Sequence, residues 1–167
     1  REAAAVVLPG VGAFDDCVNA MQRQELFEAV RDFAASGKPF LGICVGYQAM
    51  FERSEEFNSC AAGLGFFKGS VVRFPEGQGL KIPQIGWNQI AIRREVPLLD
   101  GVPDESFFYF VHSYYVETAN PDDCVATTDY GLDYTSIAGA GRVFGVQFHP
   151  EKSQAAGIKV LNNFGSL

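Results

Sequence analysis

The sequence predicts an α/β fold: a parallel core of strands alternating with helices, to which antiparallel strands are added late in the chain. Three observations carry that expectation. Two short apolar runs without alternation, Ala3 to Leu8 and Pro39 to Ile43, have the pattern of strands buried on both faces. Each run passes through glycines into a stretch with helical spacing, so strands and helices succeed one another as they do in parallel sheets. From Cys124 onward the pattern changes to short strands in quick succession, the last two joined by Gly139-Ala140-Gly141, a hairpin signal.

Ala3 to Leu8 is the first strand. It ends in Pro9-Gly10-Val11-Gly12, which either presents backbone N–H groups to an anion or carbonyl oxygen or simply makes a tight strand–helix connection. Asp15 and Asp16 open a helix, where acidic side chains favour the positive end of the backbone dipole. Leu26, Phe27, Val30, Phe33 and Ala34 repeat at helical spacing, and Gly37 stops that helix. After the second strand, Tyr47, Ala49, Met50 and Phe51 give a further helical pattern. Glu52 to Phe67 reads as a solvated loop, Val71 to Phe74 as a short strand and Pro75 to Gly79 as a glycine-rich turn. Gln84 to Ile92 reads as one strand and holds the only tryptophan, Trp87; Pro and Gly at 97, 101 and 103 then mark a loop with one helical turn. Phe107 to Val116 is the most aromatic stretch and reads as one strand, its rings suited to core packing because no basic residues are interleaved. Cys124 to Thr128, Tyr134 to Ala138 and Arg142 to Phe148 are short strands, and Gln154 to Phe164 is a helix with Ile158, Leu161 and Phe164 on one face.

The 167 residues suffice for a single domain with a full core, 1–167, and 47% apolar against 20% charged content marks it as globular. A net charge of −7 argues against nucleic-acid binding by bulk electrostatics and suits a cytoplasmic protein. Cys17, Cys44, Cys60 and Cys124 show no CxxC spacing and no nearby histidine, so no zinc pattern appears; no metal or organic cofactor is indicated. Reduced thiols are expected, since a chain of this size does not need disulfides. No run of 18 apolar residues exists, which excludes an ordinary membrane helix.

Gly42-Ile43-Cys44-Val45-Gly46 flanks a cysteine with glycines at the spacing of a nucleophile elbow, where neighbouring side chains must be absent for the backbone to fold back. Cys44 would stand at the end of a strand and the start of a helix, whose free N–H groups lower a thiol pKa and stabilise an oxyanion. A buried structural cysteine between packing glycines has the same pattern, so the chemistry needs a base. Val146 to Ser153, VQFHPEKS, supplies one. Pro150 biases His149 away from helical geometry, and Glu151, two residues on, can reach the same side. A carboxylate there fixes the imidazole tautomer and leaves the other ring nitrogen free to take a thiol proton. Cys44, His149 and Glu151 thus read as nucleophile, base and orienter, in a chain whose only other histidine is His112.

PGVGAF (Pro9 to Phe14), GICVGYQ (Gly42 to Gln48) and GVQFHPEKS (Gly145 to Ser153) resemble the class I triad glutamine amidotransferases. IGWN (Ile85 to Asn88) with FVHSYYV (Phe110 to Val116) narrows the resemblance to the glutaminase subunits of imidazole glycerol phosphate synthases, over nearly the whole chain. The resemblance implies a flavodoxin-like, mostly parallel sheet with helices on both faces plus added antiparallel strands. It implies that Cys44 attacks the side-chain amide of glutamine, that His149 carries the proton to the leaving ammonia, and that Glu151 orients His149. The oxyanion hole would use N–H groups of Val45 and of the Gly10-Val11 peptide, which in this family flips before it donates. Gly12, Gln48, Glu56, Ser113 and Tyr114 match glutamine-contacting positions, although Gln48 and Ser113 also read as ordinary polar residues. Ammonia would pass to a (βα)8-barrel synthase subunit in a heterodimer and there convert the nucleotide PRFAR to imidazole glycerol phosphate and AICAR, in histidine biosynthesis. Trp87, Tyr109 and Lys152 match partner-interface positions; Trp87 equally suits a core.

Two departures stand out. Gln84 occupies a position where many members carry histidine. Members also begin with a further βα unit of about 30 residues, so the chain is expected to be N-terminally incomplete, with an exposed sheet edge and poor stability alone. Competing readings are the glutaminase of another triad enzyme serving anthranilate, guanine nucleotide or pyridoxal phosphate synthesis, an elbow-cysteine hydrolase of DJ-1 type, and a non-catalytic partner-binding protein.

Overall fold

The computed structural model describes residues 2–77 and 79–167. Gln78, inside the predicted turn from Pro75 to Gly79, lies outside the described residues, as does Arg1. In chain order, β1 (Val6–Gly10) leads to α1 (Phe14–Arg23), α2 (Phe27–Ala35), β2 (Phe40–Cys44), the single turn α3 (Val45–Gln48), β3 (Arg53–Ser54) and β4 (Gly69–Arg73). Then follow β5 (Gln84–Gln89), β6 (Ala91–Ile92), β7 (Phe107–His112), β8 (Tyr114–Thr118), β9 (Cys124–Asp129), β10 (Asp133–Ala140), β11 (Val143–Val146) and α4 (Gln154–Gly165).

The main sheet runs β1-β2-β11-β10-β8-β4-β3, with β9 and β6 attached beside β10. β1, β2 and β11 are parallel neighbours, and β10, β8 and β4 continue the sheet antiparallel. β5 and β7 form a separate antiparallel ribbon. β2 is buried along its whole length, as its unbroken apolar run requires. Its side chains alternate between two cores. Phe40 joins Phe14, Val18, Met21, Tyr47 and Met50 under α1 and α3, whereas Leu41 and Ile43 join Phe144, Val160 and Phe164 under α4. Helices therefore cover both faces of an α/β sheet with added antiparallel strands, as predicted.

Several predicted elements are re-cut by tertiary contacts. The first strand starts at Val6 and extends through Pro9-Gly10, because β1 pairs only with β2 and an edge strand tolerates a residue without an N–H. The α2 stripe of Phe27, Val30, Phe33 and Ala34 is only partly buried, and Leu26 is exposed. The helix after Cys44 is one turn, not the longer pattern through Phe51. The run from Gln84 to Ile92 is two strands divided at buried Ile90: β5 pairs in the ribbon and β6 in the main sheet. The aromatic run likewise changes sheets at Ser113, with β7 in the ribbon and β8 between β4 and β10. Along β7, Phe108 and Phe110 face the core while Phe107 points outward. In α4 the buried positions are Gly157, Val160 and Phe164, and Ile158 is exposed.

Candidate active site

Cys44 ends β2 with φ 55° and ψ −113°, a conformation that L-residues rarely adopt and that costs about 1–3 kcal/mol. The glycines around it are sterically required. A β-carbon on Gly42 would lie 2.3 Å from Met50 Sδ, one on Gly46 1.9 Å from the Leu8 carbonyl oxygen, and one on Gly10 2.5 Å from the Gly46 nitrogen. The end of β1 is thus pressed directly onto the turn that presents Cys44.

The Cys44 thiol is buried, which pushes its pKa up to about 11; the Val45 N–H pulls it down, Glu151 pushes it up, and Lys152 pulls it down. The expected lowering by a helix N-terminus does not prevail, since α3 has only four residues and desolvation favours the neutral thiol. A nucleophile in this setting needs its proton removed during attack.

His149 is buried, and its Nδ1 lies 2.7 Å from Oε1 of the half-exposed Glu151. Carboxylate oxygen accepts, so Nδ1 carries the proton and Nε2 is left as the basic nitrogen. The histidine backbone is fastened to β7: its N–H donates to the Tyr109 carbonyl at 2.9 Å. Ser153 donates its hydroxyl to the His149 carbonyl at 2.6 Å and accepts the Tyr109 N–H at 2.9 Å.

One cavity of about 380 Å³ brings together Cys44, Val45, His149 and Lys152 with Val11, Gly12, Gln48, Glu56, Ser113 and Tyr114. Val11 is 82% exposed, and Gly12 has φ +92°, which favours glycine. Glu56 accepts the Phe14 N–H at 2.7 Å, at the start of α1, and its partial burial raises its pKa. Gln48 is buried and donates to the Tyr114 carbonyl at 3.0 Å and to Gln147 Oε1 at 3.1 Å. Gln147, also buried, brings Nε2 to 3.9 Å from Cys44 Sγ. Gln147 and the cavity residues Pro83, Val111 and His112 escaped the sequence reading. For Gln147 the available signal is its place in the sequence, two residues before His149 and just past the end of β11.

Trp87, Tyr109 and Lys152 also gather in one place, outside the core. Trp87 is 46% exposed on β5, its ring 6.0 Å from that of Tyr109, and Lys152 Nζ lies 6.0 Å over the same tyrosine. A core role for Trp87 is thereby set aside. Exposed Ile85 and Phe107 extend this surface along the ribbon. Among the described residues no helix is long and apolar enough to cross a membrane.

Residues 2–166 match the family model of glutamine amidotransferase class-I. Similar curated proteins are named imidazole glycerol phosphate synthase subunit HisH. That of Desulfitobacterium hafniense is 47% identical over 160 residues, covering 96% of this chain and 74% of its own length. That of Methylococcus capsulatus is 51% identical over 166 residues, covering 95% and 76%. That of Methanosarcina mazei is 48% identical over 161 residues, covering 95% and 77%. Among solved structures, PurLQS from Thermotoga maritima has a TM-score of 0.73 at 17% identity over 98% of this chain and 79% of its own. A glutamine amidotransferase has a TM-score of 0.70, also at 17% identity, over 97% and 79%. These structures share the fold.

Proposed function

Since the chain belongs to the class-I glutamine amidotransferase family, we propose that Cys44, His149 and Glu151 are its catalytic triad, acting on the side-chain amide of glutamine. The chain is the glutamine amidotransferase subunit of an imidazole glycerol phosphate synthase, an enzyme subunit of histidine biosynthesis. The observation that carries the triad is the shared cavity, in which a buried thiol and a buried imidazole stand together and the imidazole is held at 2.7 Å by a carboxylate.

Glutamine enters with its amide carbon at Cys44 Sγ. As the sulfur attacks, His149 Nε2 takes the thiol proton, and the imidazolium is stabilised by Glu151 across the Nδ1–H bond. The amide oxygen gains the charge and is met by the N–H groups of Val45 and of the Gly10-Val11 peptide. His149 returns the proton to the leaving nitrogen, ammonia departs, and a γ-glutamyl thioester remains. Water, deprotonated by the same imidazole, then cleaves the thioester to glutamate. Gly12, Gln48, Glu56, Ser113 and Tyr114 bind the amino-acid end, with the Glu56 carboxylate suited to the substrate ammonium.

The partner is a (βα)8-barrel synthase subunit. It docks on the ribbon face of Trp87, Tyr109 and Lys152 and receives the ammonia for conversion of PRFAR to imidazole glycerol phosphate and AICAR, in the cytoplasm. No cofactor has a role in this chemistry. The test is glutamate release from glutamine by this chain alone, with a barrel subunit, and with that subunit plus its nucleotide, each beside Cys44→Ala. Release that is strongest in the last mixture and absent with Cys44→Ala is expected. Release that survives Cys44→Ala would overturn the triad, and equal release in all three mixtures would overturn the partner.

A further inference from the structure

A line of buried polar groups runs away from the nucleophile through the middle of the molecule. It starts where Gln147 Nε2 stands 3.9 Å from Cys44 Sγ and where Gln147 Oε1 accepts from Gln48 Nε2 at 3.1 Å. Gln48 Nε2 also donates to the Tyr114 carbonyl at 3.0 Å, and the same carbonyl lies 2.8 Å from His112 Nδ1. His112 Nε2 lies 3.2 Å from the Tyr134 hydroxyl, which lies 2.9 Å from the Gln84 amide. All of these side chains except that of Tyr114, which contributes only its carbonyl, are less than 9% exposed.

The directions of these bonds are determined by what each group can give. A carbonyl only accepts, so His112 carries its proton on Nδ1. Burial holds His112 neutral, with its pKa lowered to about 4, so Nε2 is a lone pair and the Tyr134 hydroxyl must donate to it. The single phenolic proton is then used, and the tyrosine oxygen is an acceptor towards Gln84. With Oε1 facing Tyr134, Gln84 Nε2 is buried without a partner. Oxygen and nitrogen of an amide occupy nearly the same space, so a half-turn of the Gln84 amide puts Nε2 against Tyr134. The half-turn gives the Gln84 N–H an acceptor in Tyr134, leaves Oε1 in the unpartnered position, and makes every bond from Gln84 to Tyr114 point one way.

We propose that this chain, Gln84–Tyr134–His112–Tyr114–Gln48–Gln147, is a positioning element for the reaction, holding the glutamine-contacting Ser113-Tyr114 segment and the Cys44 sulfur in register; the inference rests on the glutaminase reading above. Hydrogen bonds between buried groups are strong and directional, so a chain of them fixes the positions of the segments it links. This one has the nucleophile at one end. Its other end is in β5, three residues before Trp87, so it spans the distance from the reacting sulfur to the ribbon.

The test is Tyr134→Phe in the full chain, which removes one hydroxyl and keeps the ring. It is assayed in the mixture where the wild type is most active, together with 15N spectra of the His112 ring. The expected result is a kcat about tenfold lower with KM within about twofold, with the His112 proton still on Nδ1 and the Nε2 resonance shifted by loss of the Tyr134 donor. Thr118→Val removes a bond to Thr135 of 3.0 Å outside the chain and is expected to leave activity unchanged. A Tyr134→Phe kcat within about twofold of wild type would overturn the proposal. So would a wild-type His112 with its proton on Nε2, a measurement that needs no variant to fold. A wild type that releases no glutamate in any mixture would overturn the glutaminase reading, and the proposal with it.

Discussion

Acid destabilises this protein through one residue of the site. His112 is packed among Phe74, Phe110 and Tyr134, and burial lowers its pKa from 6.5 to about 4. The unfolded chain binds a proton at this residue below about pH 6.5, and the folded chain does not until about pH 4. Stability is therefore unaffected by this group above 6.5 and falls steadily as pH drops through that window. The full loss is about 3 kcal/mol, of which about 2 kcal/mol has gone by pH 5. Against a total stability of about 5–15 kcal/mol, that is a large effect for one side chain. The comparison is His112→Asn, whose amide can still donate to the Tyr114 carbonyl but does not titrate. Urea unfolding of both proteins at pH 7, 6 and 5 isolates the histidine term. The wild type is expected to lose about 2 kcal/mol more than the variant between pH 7 and 5. Parallel losses in the two proteins would refute the reasoning, because they would mean that His112 takes up its proton in the folded state without penalty.

Three further outcomes are expected. Gly46→Ala drives a β-carbon to 1.9 Å from the Leu8 carbonyl oxygen, so soluble folded yield and melting temperature should both fall sharply; a melt that coincides with the wild type would contradict the packing of β1 on the elbow. Glu151→Gln keeps the shape but removes the charge that holds the His149 Nδ1 proton, and kcat for glutamate release should drop about 10²-fold with KM little changed. The drop is smaller than for a fully buried carboxylate, since Glu151 is half exposed. Alkylation of Cys44 by iodoacetamide, followed by mass spectrometry, should accelerate with pH towards about 11, with about one part in 10⁴ as thiolate at pH 7; a rate that levels off by pH 8 would show that the sulfur is not desolvated.

The parts of the site that depend on local chain geometry were legible beforehand. An unbroken apolar run, glycines two residues either side of Cys44, and a carboxylate two residues after His149 are all short-range facts. What depends on packing was not. Nothing in FFYFVHSYYV says that the chain leaves one sheet and enters another at Ser113, because β-forming aromatics continue on both sides of the switch. Ile90 divides QIGWNQIAI in the same silent way. The terminal helix misleads for a steric reason: a β-carbon on Gly157 would lie 1.9 Å from the Pro150 carbonyl, so the helix is seated through a residue without a side chain and Ile158 is turned outward. Gln84, Gln147 and Thr128 look like outward-facing polar residues in strands, and only the folded structure reveals that they are enclosed. Proximity of Cys44 to a helix start is visible in a sequence, whereas the exclusion of water that raises its pKa is not.

The conformation of Cys44 has an evolutionary consequence. Glycine adopts positive φ without the strain of about 1–3 kcal/mol that cysteine bears there, and its greater freedom when unfolded takes back only about 0.4–1 kcal/mol. At the position proposed for the nucleophile the backbone favours glycine, while the buried packing of the side chain favours cysteine. A laboratory selection for heat resistance alone would weigh only that strain against that packing, whatever the thiol does.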